Sequence, residues 1–246
     1  MKIEIKNKEG EKILLHLLKN DIKKILDEEK VDTSKYDNTK KRLSGLNFSR
    51  LNLSGLDFSG ANLSYCNFTG ADFTGSNLTG ADLSWCDLTG AIFEGSTLIN
   101  VSFGKAIIKK VKFCNLKLIS SGFSYTHVKD IDFSGAILIN ISFEGADFSG
   151  SDLSNCDLTG AVGDDSIWKN CNFTNSNLSG VRAFNSDFES ADFQDAIING
   201  SKMASCNFNF AVFEGTKMIG CDLNYSTFKN VTFKNQDITG SKFEKL

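Results

Sequence analysis

The fold is decided by three consecutive five-residue units: ANLSY (Ala61–Tyr65), CNFTG (Cys66–Gly70) and ADFTG (Ala71–Gly75). Each unit has a small first residue, then Asn or Asp, then Leu or Phe, then Ser or Thr, and usually ends in Gly. The register continues without a slip to the C-terminus. Of the 40 third positions counted in fives from Phe48, 38 are Phe, Leu, Ile, Val, Met or Trp. Short units repeated in this way stack into a solenoid.

The repeat also sorts into a longer period. A five-residue apolar period fits neither an α-helix nor a flat strand, so the chain must turn a corner in every unit. When the sequence is aligned at 20-residue intervals, the column that starts at Leu53 is almost entirely Phe, whereas the column that starts at Phe58 is mostly Leu. The fifth positions on the Phe side are Gly, Asn or Asp, which tolerate the positive φ of a type II turn. We therefore predict about ten four-sided coils around a core of Phe and Leu.

These units resemble the pentapeptide-repeat family, whose motif is A(D/N)LXX. The resemblance covers residues 43–246 and implies an all-β solenoid of one type, a right-handed quadrilateral β-helix. It also implies a binding role, because family members that protect DNA gyrase imitate duplex DNA and dimerise through their C-terminal ends.

Residues 1–42 form a leader in front of the 43–246 solenoid. Lys2–Lys6 alternates like a strand, Lys12–Leu18 is predicted to pair back as a hairpin, and a short helix follows to about Lys30. We expect this leader to cap the first coil, and a partner-binding appendage is the alternative.

Composition excludes several classes of protein. No apolar run approaches the length of a membrane span, and the N-terminus lacks the apolar stretch of a signal peptide, so a cytoplasmic location is expected. Six of the seven Cys occupy the small first position, where we expect burial as small hydrophobes. Cys66 and Cys86 are one coil apart, which permits a disulfide by distance, but a reducing compartment opposes it.

Signals for catalysis, cofactors and metals are absent from the sequence. The only histidines are His16 and His127, and neither lies in a cluster with metal-ligand spacing. Asp recurs at the second position for turn bonding, and the Gly residues recur for turns rather than for phosphate binding. The sequence therefore predicts a non-enzyme that binds neither nucleic acid nor membrane.

Charge is distributed unevenly. Residues 1–42 carry 12 basic and 9 acidic groups, whereas residues 131–195 hold 11 acids against Lys169 and Arg182. Residues 101–130 hold six lysines against Asp130. Such stretches attract partners of opposite charge, although an ordinary solvated surface is the alternative.

Two sets of outward residues are candidates for a partner surface, since exposed aromatic residues are enriched at interfaces. The first set shares one corner position and is called the aromatic column, although covering their own corners would explain these rings equally well. The second set is acidic and lies within the acidic stretch, residues 131–195. The aromatic column is Tyr65, Trp85, Lys105, Tyr125 and Tyr225, and the acidic candidates are Asp147, Asp152, Asp187 and Asp192.

Gly163 and Ala183 are the two third positions that are not large and apolar. They are consecutive members of one column, so the core lacks two large side chains on that side. We expect the ring of Trp168 or Phe184 to fill this space. The alternative is a surface dent around Gly163–Asp165 that receives a partner's side chain.

The last coil has no following sequence to cover its apolar third positions. We expect two copies to meet there in a symmetric contact, and a frayed monomeric end is the alternative. The residues of this predicted dimer end are Phe228, Phe233, Ile238 and Phe243.

Two functions compete. The first is a non-catalytic scaffold that binds another protein through its surface. The alternative is a DNA-mimicking protector or inhibitor of DNA gyrase or topoisomerase, which requires a continuous acidic stripe rather than a mixed surface.

Overall fold

The chain divides into two compact units, Met1–Val111 (unit 1) and Lys112–Leu246 (unit 2). Unit 1 begins with two strands, β1 at Ile3–Lys6 and β2 at Lys12–Leu15, which pair antiparallel. The two strands pair where the sequence predicts a hairpin, and the capping of the first coil by the leader stays a prediction. The predicted helix and the boundary after residue 42 lie outside the described residues and stay predictions. The computed structural model describes residues 3–6, 12–15, 44–45, 47–231 and 233–244.

Each unit is an all-β solenoid held by parallel pairing between residues 20 apart. In unit 1 Asp72 pairs with Ile92, and in unit 2 Asp132 pairs with Asp152. The Phe73 amide donates to the Ile92 carbonyl at 2.8 Å, and the Ile92 amide donates back to the preceding coil at 2.9 Å. Four five-residue segments therefore complete one coil, as the column sorting predicts. The total of about ten coils and their right-handed sense stay predictions.

A regular corner, one with Asn or Asp at the second position, combines two local hydrogen bonds with one left-handed residue. At a representative corner, the Ser76 amide donates to the Phe73 carbonyl at 2.9 Å, which closes a turn around Gly75 with φ at +65°. The Thr74 amide donates to Asp72 Oδ1 at 2.9 Å. The second-position carboxylate thus fixes Thr74, the first of the two central residues of the turn, which is the usual action of Asx side chains.

The predicted left-handed fifth positions are confirmed on the Phe side. All ten have positive φ, the conformation that Gly, Asn and Asp adopt at least cost. They are Gly55, Gly75 and Gly95 in unit 1 and Asn115, Gly135, Asn155, Asn175, Asp195, Gly215 and Asn235 in unit 2.

The core of each unit is a stack of identical positions. In unit 1 the rings of Phe73 and Phe93 are parallel, with centroids 5.1 Å apart. In unit 2 Phe113 stacks on Phe133 at 5.1 Å. The ring spacing is close to the distance of about 4.8 Å between paired strands, so the backbone pairing sets the stacking distance.

The six first-position cysteines are buried free thiols, as expected, and Cys114 is partly exposed. The Cys86 thiol donates to the Leu63 carbonyl at 3.0 Å. Burial raises the pKa of Cys86 above the ordinary thiol range and that of Cys156 to about 12. These thiols stay protonated and act as small core residues rather than as nucleophiles.

Removing one ring from the stack tests the core. We expect Phe133→Ala to lower the free energy of unfolding by about 3–5 kcal/mol, because it deletes a fully buried ring and leaves a cavity. The matched control is Phe210→Ala, which removes an equally large but exposed side chain and changes that free energy by less than about 0.5 kcal/mol. Urea unfolding followed by circular dichroism measures both, and equal losses in the two variants contradict the stacked core.

Candidate protein-binding surface

Three members of the aromatic column lie together in unit 1. The rings of Tyr65 and Trp85 are nearly parallel, with centroids 5.7 Å apart, and the Lys105 Nζ lies 4.6 Å from the Trp85 ring centroid. Tyr65 is 59% exposed and Trp85 is 50% exposed. The 20-residue spacing places these side chains one above another at the same corner, where each projects from the coil. The result is a mixed aromatic and cationic ridge.

The aromatic column also has members in unit 2, Tyr125 and Tyr225. The ring of Tyr125 lies against Gly145, the residue at the same corner one coil further along. A Cβ added to Gly145 would come within 2.7 Å of that ring. The Tyr125 hydroxyl donates to Glu144 Oε1 at 3.0 Å, and this hydrogen bond to a carboxylate raises the pKa of Tyr125. Tyr225 is also exposed, but four non-aromatic corner residues separate it from Tyr125. Within unit 1 the structure therefore brings Tyr65, Trp85 and Lys105 together.

The aromatic residues at the corners have the same left-handed backbone conformation as the Gly and Asn residues at other fifth positions. Tyr65, Trp85, Tyr125 and Tyr225 all have φ between +58° and +63°, the left-handed region that bulky residues seldom occupy. A fifth aromatic residue, Phe210, has φ at +64° and is exposed at another corner. Sequence reasoning missed it, although a Phe at a fifth position instead of Gly or Asn is visible in the sequence.

The four acidic candidates lie in unit 2 and fall into two pairs with different partners. The first pair, Asp147 and Asp187, contacts lysines. Asp147 is buried and its Oδ2 lies 2.7 Å from Lys129 Nζ, while Asp187 lies 3.0 Å from Lys169 Nζ. Burial alone would raise the pKa of Asp147, but hydrogen bonds from Lys129 and Ser149 outweigh it and lower the pKa.

Asp152 and Asp192 belong to a separate ladder. The pairs Asp132 with Asp152, Asp152 with Asn172, and Asn172 with Asp192 follow one side of unit 2. The Asn172 side-chain amide donates to Asp152 Oδ1 at 3.1 Å. The acids thus form two groups, one neutralised by lysines and one interrupted by an amide. Their role as partner contacts stays a prediction.

The deficit at Gly163 is filled from inside the core. Trp168 is buried, stacks on Phe148 at 4.2 Å and meets Phe143 edge-on at 4.9 Å. Its indole N–H donates to Ser166 Oγ at 2.6 Å. An added Cβ at Gly163 would come within 2.6 Å of the Phe143 carbonyl carbon. Of the two rings expected to compensate, Trp168 is the one in the core.

Phe184 lies outside the core and is half-buried. The Arg182 guanidinium sits 5.7 Å from its ring centroid and donates to Asp164 Oδ2 at 2.6 Å. The Phe184 amide donates to Asp164 Oδ1 at 3.1 Å. The hydrogen bond from Arg182 lowers the pKa of Asp164. Asp164 therefore closes the irregular turn and is not presented as a free carboxylate.

The predicted dimer end is less covered than the coils before it. Phe208 and Phe213 are completely buried, whereas Phe233 is 42% exposed and Ile238 is 46% exposed. Phe228 and Phe243 are intermediate. The last described coil of unit 2 thus presents apolar side chains to solvent.

Two kinds of feature are absent from the described residues. No group of three or more His, Cys, Asp or Glu side chains in this part of the chain is arranged to hold a metal ion. No helix there has the length and apolar character needed to cross a membrane.

Family models match most of the chain. The model of pentapeptide repeats matches residues 42–80, 169–203 and 206–244, and the model of a pentapeptide repeat region matches residues 86–162. The chain belongs to the pentapeptide-repeat family. The family resemblance expected from the sequence is thereby confirmed.

Solved structures similar to this pentapeptide-repeat protein share little sequence with it. HetL, a pentapeptide repeat protein involved in heterocyst differentiation regulation from Nostoc sp. strain PCC 7120, is 18% identical, with 82% of this chain and 91% of HetL covered and a TM-score of 0.44. A trypsin-treated variant of QnrB1, a plasmid-mediated fluoroquinolone resistance protein, is 18% identical, with 77% and 88% covered and a TM-score of 0.39. A pentapeptide repeat protein of the Arabidopsis thaliana thylakoid lumen is 29% identical, with 48% and 68% covered and a TM-score of 0.23. No curated protein matches the chain.

Adding one methyl group at Gly163 tests the packing around the irregular coil. We expect Gly163→Ala to lower the free energy of unfolding by about 1–3 kcal/mol, because the Phe143 ring and backbone must move to admit the methyl group. Gly122→Ala is the matched control, since a Cβ there meets nothing within 4 Å and its φ is ordinary. Thermal unfolding of both variants measures the difference, and an unaffected Gly163→Ala protein contradicts the close contact with Phe143.

Proposed function

We propose that this pentapeptide-repeat protein is a non-catalytic scaffold that binds another protein through the exposed residues of its corners, chiefly Tyr65, Trp85 and Lys105. One observation carries the proposal: large aromatic residues stand exposed at left-handed corners. Such conformations cost on the order of 1 kcal/mol or more for residues other than Gly. The same corners are occupied by Gly or Asn elsewhere in the chain, so folding does not require these rings.

The chemistry of the ridge suits protein recognition. Tyr and Trp supply apolar area together with a polar edge, and both are enriched at the centres of protein interfaces. Lys105 adds a charge that the Trp85 ring holds in place through a cation–π contact. The remaining Ser, Thr, Asn and Asp side chains are largely engaged in corner hydrogen bonds. This division favours binding over catalysis.

The gyrase alternative draws support from the ladder of Asp132, Asp152 and Asp192. A DNA mimic needs regularly spaced, uncompensated negative charge. Asp147 and Asp187, however, form ion pairs with Lys129 and Lys169 at 2.7 and 3.0 Å. The mixed charge therefore favours the general scaffold over DNA mimicry.

A cytoplasmic location belongs to the proposal, and the free state of all seven cysteines supports it, because disulfides are rare in that compartment. A homodimer through the last coil belongs to it as well. Exposed Phe233 and Ile238 support that contact, since a second copy would remove both from water.

Capture of partner proteins tests the binding surface. We expect the purified full chain to retain a discrete set of proteins from an extract of its source cells. The Tyr65→Asn/Trp85→Asn variant should lose at least about nine-tenths of the captured protein, because hot-spot aromatics contribute about 2 kcal/mol or more each. The matched control is Phe210→Asn/Ile219→Asn, which removes comparable exposed apolar area outside the aromatic column. Quantitative mass spectrometry compares the three baits.

Two results contradict this assignment. One is equal retention by the wild type and the Tyr65→Asn/Trp85→Asn variant. The other is inhibition or protection of DNA gyrase in a supercoiling assay that depends on Asp132, Asp152 and Asp192 but not on the aromatic residues. The second result supports DNA mimicry instead.

The dimer contact is tested with a charge at the last coil. We expect Phe243→Glu to halve the molar mass measured by light scattering, because two buried carboxylates would face each other across a symmetric contact. Phe210→Glu adds the same charge at an exposed site elsewhere in unit 2 and leaves the mass unchanged. A wild-type protein that is already monomeric, or a variant with unaltered mass, excludes this contact.

A further inference from the structure

One side of unit 1 departs from the repeat in its last coil. The side reads YCNFTG at Tyr65–Gly70 and WCDLTG at Trp85–Gly90, but KAIIKK at Lys105–Lys110. The second-position Asn or Asp becomes Ile107, and the Thr–Gly pair becomes Lys109–Lys110. We call residues 105–110 with Trp85 the Lys105–Lys110 face.

The exchanged residues point outward. Ile107 pairs through its backbone with Asp87 of the preceding coil, yet its side chain is 47% exposed. Lys105, Lys109 and Lys110 are exposed as well. The neighbouring Ala106 and Ile108 are buried, so the coil keeps its core while its outer surface has changed.

The exchange weakens the local structure. The regular second-position side chain accepts a hydrogen bond at its corner, as Asp87 Oδ1 does from the Thr89 amide at 2.9 Å, and Ile107 has no group that can do so. A bend at Lys110 replaces the hydrogen-bonded turn of the neighbouring units, and Lys110 has φ at +56°. Gly and Asn would fit this corner better, so the fold does not explain the choice of lysine.

The charge of the face is strongly positive. Lys105 and the Lys109–Lys110 pair stand at its two corners with Ile107 between them. Asp87 is the acid on the same side in the coil below, so three positive charges stand against one negative charge there. Trp85 has Tyr65 on one side of the stack and the Lys105 ammonium 4.6 Å from its ring. This arrangement holds an ammonium group and an exposed indole side by side.

We propose that the Lys105–Lys110 face docks an acidic segment of a partner protein that also carries an apolar side chain. The apolar side chain covers Ile107 and the exposed edge of Trp85, and the carboxylates lie against Lys105 and the Lys109–Lys110 pair. Charge complementarity identifies the partner as acidic, and the exposed isoleucine between the lysines identifies it as amphipathic. The inference rests on the proposed protein-binding function and specifies the chemistry of the partner.

A labelled peptide tests the chemistry directly. The probe is a short fluorescein-labelled peptide of Glu and Asp interspersed with Leu and Phe, and its control replaces every Glu and Asp by Gln and Asn. We expect the full chain to bind the acidic peptide and not the control, as measured by fluorescence anisotropy. Binding should weaken between about 0.05 and 0.5 M salt, because screening shortens the range of exposed charges.

Substitutions on the protein localise the contact. Lys105→Gln/Lys109→Gln/Lys110→Gln should weaken binding of the acidic peptide by about tenfold, since three exposed charge contacts contribute additively at the usual modest strength. The matched control is Lys202→Gln/Lys217→Gln/Lys229→Gln, which removes the same charge from exposed sites of unit 2 and should leave binding within about twofold. Ile107→Asn restores the ordinary repeat residue and should weaken binding by about threefold without loss of folding.

Several results overturn the proposal. They are absence of binding to the acidic peptide, equal effects of the two triple variants, an unaffected Ile107→Asn variant, and tighter binding of single-stranded oligothymidylate or of phosphatidylserine vesicles through the same lysines. The proposed function survives these results if protein capture still depends on Tyr65 and Trp85. It fails separately if capture is independent of both aromatic residues.

Discussion

Parallel backbone pairing at an offset of 20 residues is the constraint on which the rest of each unit depends. It places every residue directly above its counterpart in the preceding coil, as Phe93 lies above Phe73 with centroids 5.1 Å apart. A residue type that suits one coil therefore suits the next, and the column becomes the unit of packing. The offset holds only if each five-residue segment turns by the same amount. The left-handed fifth residue, together with the Asx bond wherever Asn or Asp stands at the second position, provides this turn.

That constraint divides the side chains by position. First and third positions lie inside, second and fourth positions make the corner hydrogen bonds, and the fifth position carries the backbone turn. The fifth side chain is the one that the fold uses least, because a glycine suffices there. Variation at the fifth position can accordingly serve binding at small cost to the core. Tyr65, Trp85, Lys105 and Lys110 are all residues of this kind.

The architecture was predictable from the sequence because both of its determinants are local. The Asn or Asp at position two and the Gly or Asn at position five are visible in any single unit, and the separation of Phe from Leu reveals the four-unit coil. The family followed from the same residues. The core deficit at Gly163 was equally visible, and Trp168 was one of the two rings expected to fill it.

The contacts of surface side chains were less predictable because an exposed side chain has several partners within reach. Tyr65 stacks on Trp85, whereas Tyr125, at an equivalent corner, turns onto Gly145 and bonds Glu144. The presence of a ring or a glycine one coil further on decides between these conformations. Asp147 and Asp152 occupy the same repeat position, yet only Asp147 is buried against a lysine, since Lys129 lies within reach. The column position alone did not distinguish these environments.

The central claim is that the aromatic ridge serves recognition and not the stability of its own corners. The most direct measurement is the free energy of unfolding of the Tyr65→Asn/Trp85→Asn variant in urea. The account predicts a value within about 1 kcal/mol of the wild type, because relief of the left-handed backbone offsets the lost ring stacking. A loss of more than about 2 kcal/mol would show that the rings stabilise the coils they cover, and would contradict the claim.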